Sequence, residues 1–455
     1  MQAPGKTLAA WAAQLRWQDL PQALREKALD HVVDAIGVMY SGIDVEACVG
    51  ARSAVEKWGS GSESTVLGTR AQLPAASAAF LNTLHGRIHT YDDTYEPGTL
   101  HAGTCAVATA LALSEKHAAD GRTFLAAVIA GYEVSTRVAA AVSPAHYAAG
   151  FHNTGTCNVF GAAAAASRVL KLDAAALAEA FGLAGATAGG LRQHQIDGSM
   201  FDSAFHAARA AQSGVMVAQL RAEGVRGPAA ILEGPMGFCN VMSLERDVSR
   251  LTADLGSRYE FEQVTIKPYP TCRFVHGPIE AAIALKRQHD IDPAGIREVT
   301  IATFRQSIDV SDRPAINTPF DAVVSHQYAA ALALVNEKIE LSAITAGAQG
   351  DPQVLALMKK VRVLHDAELE KDFPLSWPHR VTIHMHDGRQ FSMLSEYPPG
   401  RIAPTPRAIV DQKFLEQTSR YLEDRGARNA LELIRGMEDV HDVRLVIAAL
   451  AGRET

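Results

Sequence analysis

The 455-residue sequence contains few cysteines and no pattern that would organise them. The five cysteines are odd in number and form no CxxC pair: Cys48, Cys105, Cys157, Cys239 and Cys272. The count is too low for a disulfide framework, and the spacing does not fit a structural zinc site. The first residues also lack the basic-then-apolar layout of a signal peptide. We therefore expect a reduced, cytoplasmic protein.

The sequence also lacks an excess of basic residues and a long uninterrupted apolar run. Its 43 lysines and arginines are outnumbered by 50 acidic residues, which gives a formal charge of −7. Nucleic-acid-binding proteins usually carry a basic face or tail instead. Glu133 and Arg137 interrupt the apolar stretch 123–142 before it reaches the ~20 residues that a membrane span needs. We therefore expect neither a nucleic-acid partner nor a membrane partner.

Several common catalytic signatures are missing as well. No GxGxxG follows a predicted strand, and the P-loop, HExxH and GxSxG patterns do not occur. The sequence therefore offers no standard dinucleotide, phosphate-loop, zincin or serine-hydrolase motif. No pair of histidines combines strong ligand spacing with a neighbouring set of carboxylates, as a metal site would. These absences favour metal-free acid–base chemistry.

Most of the sequence has a helical pattern. Apolar residues at three- and four-residue steps predict helices over 23–40, 73–85, 106–116, 123–142, 174–186, 430–437 and 440–449. A chain of this length usually exceeds one core. We predict a mainly α fold in which residues 1–265 and 400–455 form one large all-helical domain.

The intervening residues 266–399 have a mixed pattern. Alternating runs with β-branched residues predict strands over 297–304, 360–364, 380–386 and 389–394. Asp387-Gly388 lies between the last two runs, and this pair is typical of a tight hairpin turn. Helical stretches over 277–288 and 325–337 alternate with the strands. We therefore predict a smaller α+β domain for this segment.

Two clusters of polar residues in the first half are candidates for a functional site. Residues 85–96, followed by His101, bring histidines, carboxylates and tyrosines together, which suits a general base beside substrate-holding groups. A solvated loop with helix caps explains the same residues. Residues 150–156 place His152 in a Gly/Thr-rich loop that opens a helix. Backbone N–H groups there could hold an anion, or the segment is an ordinary N-cap.

Two further clusters lie later in the chain. Asp202, His206 and Arg209 share one face of a helix that follows Arg192, and ordinary surface charge pairing explains that spacing equally well. Residues 266–276 bring lysine, arginine, tyrosine and histidine to the proposed domain boundary. That set suits a cleft that binds carboxylates. A proline-stiffened linker with solvated charges is the alternative.

In combination, these motifs resemble the MmgE/PrpD family. The similar motifs are Tyr91-Asp92-Asp93-Thr94, Leu100-His101-Ala102-Gly103, Gly150-Phe151-His152-Asn153-Thr154-Gly155, Phe205-His206-Ala207-Ala208-Arg209, Lys267-Pro268-Tyr269-Pro270, Thr318-Pro319-Phe320 and Ser325-His326-Gln327-Tyr328. They run in order through nearly the whole chain. The family includes 2-methylcitrate dehydratase, cis-aconitate decarboxylase and iminodisuccinate epimerase. The resemblance implies a large helical domain built from both chain ends, a smaller α+β domain, no cofactor and a homodimer.

The resemblance also implies roles for individual residues. The catalytic groups that it indicates are His101, His152, Asp93, Lys267 and Tyr328. With the charges of the later clusters added, the predicted substrate-binding groups are Asp92, Thr94, Arg192, His206, Cys272 and Arg273. Arginine and lysine would neutralise substrate carboxylates, and histidine would exchange the proton because it titrates close to neutral pH.

Two positions depart from the family pattern. Members often read Asp-Phe-Asp-Asp-Thr, where this chain begins the motif with Thr90, and they often carry lysine where this chain has Ser203. Those two groups are implicated in substrate binding and proton transfer in the decarboxylase and dehydratase members. Their replacement weakens the case for both of those specific activities and suggests a different arrangement of carboxylates in the substrate.

The family's reactions share the removal or delivery of a proton next to a carboxylate, which requires a base and stabilisation of an enolate-like charge. We predict a cofactor-free lyase of the dehydratase type that acts on a di- or tricarboxylate. The alternative is an epimerase of an iminodisuccinate-like dicarboxylate, because that reaction needs only proton exchange at one carbon. A catalytically inactive carboxylate-binding homologue and a metal-dependent hydrolase built on the histidines are further hypotheses.

Overall fold

The computed structural model describes residues 3–452 and divides most of their buried apolar side chains between two cores. The larger core joins helices of the first half to helices near the C-terminal end, where Val410 and Phe414 are fully buried. The second core lies within residues 275–385. The predicted fold class, mainly α with a smaller α+β part, is confirmed. The domain boundaries at residues 266 and 399 stay predictions.

Helices build the larger part of the molecule. Those of ten or more residues are Pro4–Gln14, Gln22–Ser41, Glu46–Val55, Ala75–Arg87, Gly103–Lys116, Gly121–Val142, Asn158–Val169, Ala174–Gly185, Met200–Ala222, Arg407–Thr418 and Asp424–Arg435. The shorter ones are Ala145–Ala148, Asn153–Thr156, Gln193–Asp197, Phe238–Val241 and Arg444–Ala449. Two short antiparallel ladders pair Ser64–Thr65 with Gln72–Leu73 and Thr94–Tyr95 with Val264–Thr265. The second ladder ties the first polar cluster to the chain just before residue 266.

The smaller part is built on a four-stranded sheet. Its strand order is Val361–His365, Ile296–Thr303, His379–Met385 and Gln390–Ser395. The first pair is parallel and the other two are antiparallel. The last two strands form the predicted hairpin, and Gly388 in its turn has a φ of +90°, which glycine adopts without steric cost.

Helices pack around this sheet. The two long ones, His276–His289 and His326–Asn336, contact its strands. The shorter ones are Arg305–Ser311, Pro319–Val324, Leu341–Ala346, Pro352–Met358 and Ala367–Glu370. Short 3₁₀ turns elsewhere in the chain are Trp17–Asp19, Glu96–Gly98, Val248–Leu251, Glu260–Gln263, Arg273–Val275, Pro293–Gly295, Gly347–Gln349 and Met437–Asp439.

The helix Gly121–Val142 passes through the centre of the larger core. By length and composition it could cross a membrane, yet its apolar window is entirely buried inside the protein. The helix Asn158–Val169 lies against it so closely that a Cβ on Gly161 would come within 1.9 Å of the Ser135 hydroxyl. Small residues allow this approach because they add little volume between the backbones. The helix is therefore a packed element of the core.

Two opposite charges lie inside this central helix and neutralise each other. Glu133 and Arg137 are fully buried and pair at 2.7 Å. The Glu133 carboxylate also accepts the backbone N–H groups of Glu260 and Phe261 at 3.0 Å. Arg137 donates to backbone carbonyl groups, including that of Ala253 at 2.8 Å. The pair therefore fixes the segment before the second core onto the helix.

Breaking this pair should destabilise the protein strongly. We expect Glu133→Ala to lower the free energy of unfolding by about 3–5 kcal/mol, because it leaves a buried guanidinium without its counter-charge. Urea unfolding followed by circular dichroism measures the change. The matched control is Asp424→Ala, which removes an exposed i,i+4 pair with Arg428 and should change stability very little. Equal effects of the two variants would contradict this account.

Candidate functional site

A small enclosed cavity of about 50 Å³ lies between the helical part and the α+β part. The helical wall consists of Arg87, Thr90, Thr94, Thr99, His101, Tyr147, His152, His194, Gln195 and Ser203. The opposite wall consists of Cys272, Arg273, Phe274, Val310, Phe320, Val324 and Trp377. Polar groups thus concentrate on one wall, and large apolar side chains cover the other.

A larger groove of about 810 Å³ lies elsewhere on the molecule. Its lining includes His89, Glu337, Glu416 and Arg420. None of the residues predicted as catalytic or substrate-binding lines this groove. The enclosed cavity is therefore the better candidate site.

The loop after the helix Ala75–Arg87 carries several of the polar groups, and two buried lysines hold its backbone. The Lys267 amine donates to the carbonyl of Thr90 at 2.6 Å, and the Lys413 amine donates to the carbonyl of Tyr91 at 2.8 Å. Thr90 itself has a φ of +56°, a left-handed conformation that is uncommon for a residue with a side chain. The lysines therefore fix a turn that the local sequence does not favour.

The hydrogen bonds of His101 determine which of its ring nitrogens carries the proton. Its Nδ1 lies 2.7 Å from the carbonyl oxygen of Asp93 and 3.2 Å from the Thr94 hydroxyl. Because a carbonyl oxygen only accepts, Nδ1 is the donor and Nε2 keeps a lone pair. Burial, with the nearby charges of Arg87 and Lys267, lowers the pKa of His101 well below its ordinary value. His101 is therefore a neutral imidazole that can accept a proton.

His152, His194 and His206 form a cluster at one end of the cavity. The Nδ1 atoms of His152 and His206 lie 2.9 Å apart, and His194 donates from Nδ1 to the carbonyl of Leu191 at 2.9 Å. Burial and the neighbouring imidazoles lower the pKa of His152 well below its ordinary value. His152 occupies the N-cap position of Asn153–Thr156, but its side chain does not cap that helix. Its ring is thus available for other contacts.

Arg87 provides a positive charge on the helical wall. Its Nη1 donates to Asp92 at 3.0 Å and its Nη2 donates to the Ser203 hydroxyl at 3.2 Å. Its buried Nε has no hydrogen-bond partner in residues 3–452. Burial raises the pKa of Asp92, while the Arg87 charge opposes that shift. Asp92 thus holds the guanidinium in place and does not itself line the cavity.

Asp93 lies behind the wall and orients other residues. Its Oδ2 accepts from His31 Nδ1 at 2.8 Å and from the Tyr132 hydroxyl at 2.5 Å. Its Oδ1 accepts the backbone N–H of Gly103 at 3.0 Å. Burial alone would raise its pKa, but the hydrogen bonds from His31 and Tyr132 hold the pKa below its ordinary value. Its carboxylate therefore faces away from the cavity, and only its carbonyl contacts His101.

Two of the predicted arginines have most of their donors occupied. Arg273 lines the cavity, where its Nε pairs with Glu96 at 2.8 Å and its Nη2 donates to Pro399 at 2.6 Å. Arg192 stacks on the ring of Tyr147 at 3.7 Å and donates to that residue's carbonyl at 2.8 Å. Tyr147 lines the cavity, whereas Arg192 does not. Arg192 thus supports the wall.

The structure sorts the predicted site residues into three groups. Those that line the cavity are Thr94, His101, His152, Cys272 and Arg273. Those whose contacts place them behind the cavity wall are Asp92, Asp93, Lys267, Arg192 and His206. Tyr328 belongs to the second core, where its hydroxyl donates to the carbonyl of Ala343 at 2.8 Å. Tyr328 does not line the cavity, so we assign its hydroxyl no role in the chemistry.

Sequence reasoning missed several residues of the cavity. Arg87 lies within the densest polar cluster, but the sequence-based roles were assigned to the histidines and carboxylates beside it. His194 stands beside Arg192 in the third cluster and was not selected as a site residue. On the apolar wall, Val310, Val324 and Trp377 give no signal in the sequence, because an apolar cavity wall looks like any other core position.

Comparison with known proteins places the sequence in a family. It matches the model of the MmgE/PrpD N-terminal domain over residues 6–251 and that of the MmgE/PrpD C-terminal domain over residues 269–439. The chain belongs to the MmgE/PrpD family. The resemblance inferred from the motifs is therefore confirmed.

The curated MmgE/PrpD relatives include cis-aconitate decarboxylases. The one from Aspergillus terreus is 25% identical over 470 residues, which covers 97% of this chain and 94% of the relative. The mouse protein is 25% identical over 451 residues, covering 96% and 91%. The human protein is 24% identical over 435 residues, covering 92% and 89%. These relatives support an enzyme of lyase type from a family that acts on carboxylates.

Both departures from the MmgE/PrpD pattern lie on the cavity wall. Thr90 and Ser203 line the cavity, and Ser203 contacts the guanidinium of Arg87. Thr90 contributes no charge to the cavity, whereas a carboxylate at that position would. The charge distribution facing a substrate therefore differs from the family pattern at these two positions.

Lys267 should make stability depend on pH. Burial lowers its pKa from 10.5 to about 7, so between about pH 7 and 10 the unfolded chain binds more protons than the folded chain. The free energy of unfolding should therefore rise with pH in that range, by up to about 1.4 kcal/mol per unit. Lys267→Met should remove this contribution, as measured by urea unfolding at several pH values.

The matched control for this experiment is Lys338→Met, because the Lys338 side chain is 77% exposed. This variant should keep the wild-type slope. An unchanged slope in Lys267→Met would mean that the buried amine does not titrate in this range.

Proposed function

We propose that this MmgE/PrpD protein is a cofactor-free lyase of the dehydratase type that acts on a di- or tricarboxylate. The observation that carries the proposal is the position of His101 and His152 on the same wall of one enclosed cavity. Removing water from a hydroxy acid requires a base for the C–H proton and an acid for the leaving hydroxyl. Two histidines on one wall can divide these tasks. The expected cytoplasmic location and homodimer stay predictions.

His101 is the better candidate for the base. Its Nδ1 proton is committed to the carbonyl of Asp93 at 2.7 Å, so Nε2 is the atom that accepts a proton. The Asp93 carboxylate is held in turn by His31 and Tyr132, which fixes the segment that orients the ring. The lowered pKa keeps the imidazole neutral before substrate binds.

His152 is the better candidate for the acid. Its Nδ1 contacts His206 Nδ1 at 2.9 Å, so a proton can reach it through a second imidazole. The causes that lower its pKa are burial, followed by the neighbouring histidines and arginines. A bound substrate with two or three negative charges would oppose those effects and favour the imidazolium. Substrate binding would thus prepare the proton donor.

Arg87 and Arg273 are the candidates for holding the substrate carboxylates. Both guanidinium groups line the cavity, and charge-assisted hydrogen bonds from arginine suit carboxylates. The apolar wall, which includes Phe274 and Trp377, would exclude water from a carbanion-like intermediate.

An epimerase of an iminodisuccinate-like dicarboxylate is the second candidate. It is favoured by Thr90 and Ser203, which stand where the family pattern often has aspartate and lysine. An epimerase protonates no leaving group and therefore needs fewer charged groups in the site. A protein that only binds carboxylates is the third candidate, and two experiments together separate all three.

Hydrogen exchange in heavy water tests the base. Incubated with citrate-, aconitate- and aspartate-like compounds, the wild-type protein should incorporate deuterium at a C–H next to a carboxylate in at least one of them. His101→Ala should slow that exchange by about 10² to 10⁴-fold, measured by NMR or mass spectrometry. The control is His117→Ala, which alters an exposed histidine and should exchange at the wild-type rate. No exchange with any compound would leave carboxylate binding as the function.

A second variant separates elimination from epimerisation. If His152 protonates a leaving hydroxyl, His152→Ala should slow water loss by about 10² to 10⁴-fold while C–H exchange falls much less. Exchange that inverts a stereocentre without forming an alkene would identify the epimerase. Turnover that persists after treatment with a chelator would exclude a metal-dependent hydrolase.

A further inference from the structure

The cluster of His152, His194 and His206 has an arrangement that proton transfer alone does not require. The rings come from three separate elements: the start of Asn153–Thr156, the helix Gln193–Asp197 and the helix Met200–Ala222. One nitrogen from each ring lies within 4.8 Å of the corresponding nitrogens of the other two. Three imidazoles therefore converge on one point.

The spacing of the rings matches that of imidazoles around one metal ion. The ring centres lie 4.9 Å apart for His152 and His194, 5.2 Å for His152 and His206, and 5.4 Å for His194 and His206. Imidazoles bound to Zn²⁺ at about 2.1 Å in tetrahedral geometry have ring centres about 5.2 Å apart. Ordinary packing does not require three nearly equal separations.

The hydrogen bonds of His194 and His152 are also suitable. His194 Nδ1 donates to the carbonyl of Leu191 at 2.9 Å, which leaves Nε2 with a lone pair. Metal-bound histidines commonly have this partner on the other ring nitrogen. His152 and His206 face each other through two Nδ1 atoms at 2.9 Å. One of these atoms carries the proton of this hydrogen bond, so a metal ion that bound both nitrogens would displace that proton and replace the hydrogen bond.

The local charge does not prevent a cation from binding. Arg87 and Arg192 both act on the cluster as positive charges, and Asp92 pairs with Arg87 at 3.0 Å. Asp202 lies near His194 and His206 and acts on them as a negative charge. Three nitrogen ligands favour a borderline transition metal over Mg²⁺ or Ca²⁺, which prefer oxygen.

We propose that His152, His194 and His206 form a binding site for a divalent transition-metal ion such as Zn²⁺, with an open coordination position toward the cavity. The site goes beyond the proposed lyase activity and does not depend on it. Because His152 is also the candidate acid, a bound ion and proton delivery by His152 would exclude each other. The site would then be inhibitory.

Zinc titration of the full chain tests this proposal. Protein treated with a chelator and then dialysed should bind one equivalent of Zn²⁺ in isothermal titration calorimetry. X-ray absorption of the complex should show three nitrogen ligands at about 2.0–2.1 Å. His194→Ala and His206→Gln should each weaken binding by at least about 100-fold, the upper range for perturbing a metal site through its supporting residues. The control is His386→Ala, an exposed histidine outside the cluster, which should bind like the wild type.

Thermal unfolding compares each protein with and without Zn²⁺, so the result does not require all variants to be equally stable. Zn²⁺ should raise the melting temperature of the wild type and of His386→Ala, because an ion that binds only the folded state stabilises it. It should not raise that of the two cluster variants. The proposal is overturned if the wild type binds no stoichiometric zinc, or if His194→Ala binds it as tightly. Carbon–hydrogen exchange by the metal-free protein reports on the lyase proposal separately.

Discussion

The structure depends on two buried lysine amines that hold one turn of the backbone. Lys267 donates to the carbonyl of Thr90 at 2.6 Å, and Lys413 donates to the carbonyls of Tyr91 at 2.8 Å and of Lys267 at 3.0 Å. Lys413 also pairs with Asp34 at 2.6 Å. These bonds join a helix of the first half, the segment between the two parts and a helix near the C-terminal end. The loop that positions His101 is thus held by residues from distant parts of the sequence.

Burial gives the cavity its chemical character. Burial of the imidazoles of His101 and His152, together with the positive groups around them, disfavours the protonated rings. Both histidines are therefore neutral before substrate binds, and the polyanionic substrate that we propose would favour their protonated forms. The same neutral state provides the lone pairs that a metal ion needs. The proposed proton transfer and the proposed ion binding therefore both require neutral imidazoles.

The division of the cavity into two unlike walls links the fold to the proposed chemistry. The helical part supplies nearly all polar groups, and the α+β part supplies Phe274, Phe320 and Trp377 together with Arg273. Most polar groups are thus presented by the helical part, and the opposite wall carries mainly apolar packing contacts. Thr90 and Ser203, the two departures from the motif pattern, lie on the polar wall and leave this division unchanged.

The sequence by itself determined the local elements and the family. Alternation and the Asp387-Gly388 pair placed the hairpin correctly, because strand and turn preferences are local. Helix boundaries were less certain: the segment predicted over 430–437 begins at Asp424, and the one predicted over 440–449 begins at Arg444. The polar clusters drew attention to His101 and His152 because such groups are rare between apolar helices, and both residues line the candidate cavity, while their roles stay predictions.

Only the tertiary structure decided which polar groups face the cavity. Asp93 and Asp92 are neighbours of Thr94 in sequence, yet their carboxylates point to His31 and Arg87 while Thr94 faces the cavity. The proximity of His152, His194 and His206 was also not evident from the sequence, because the three residues are separated along the chain and lack motif spacing. Side-chain direction and long-range proximity follow from how whole helices pack, and no local pattern encodes that packing.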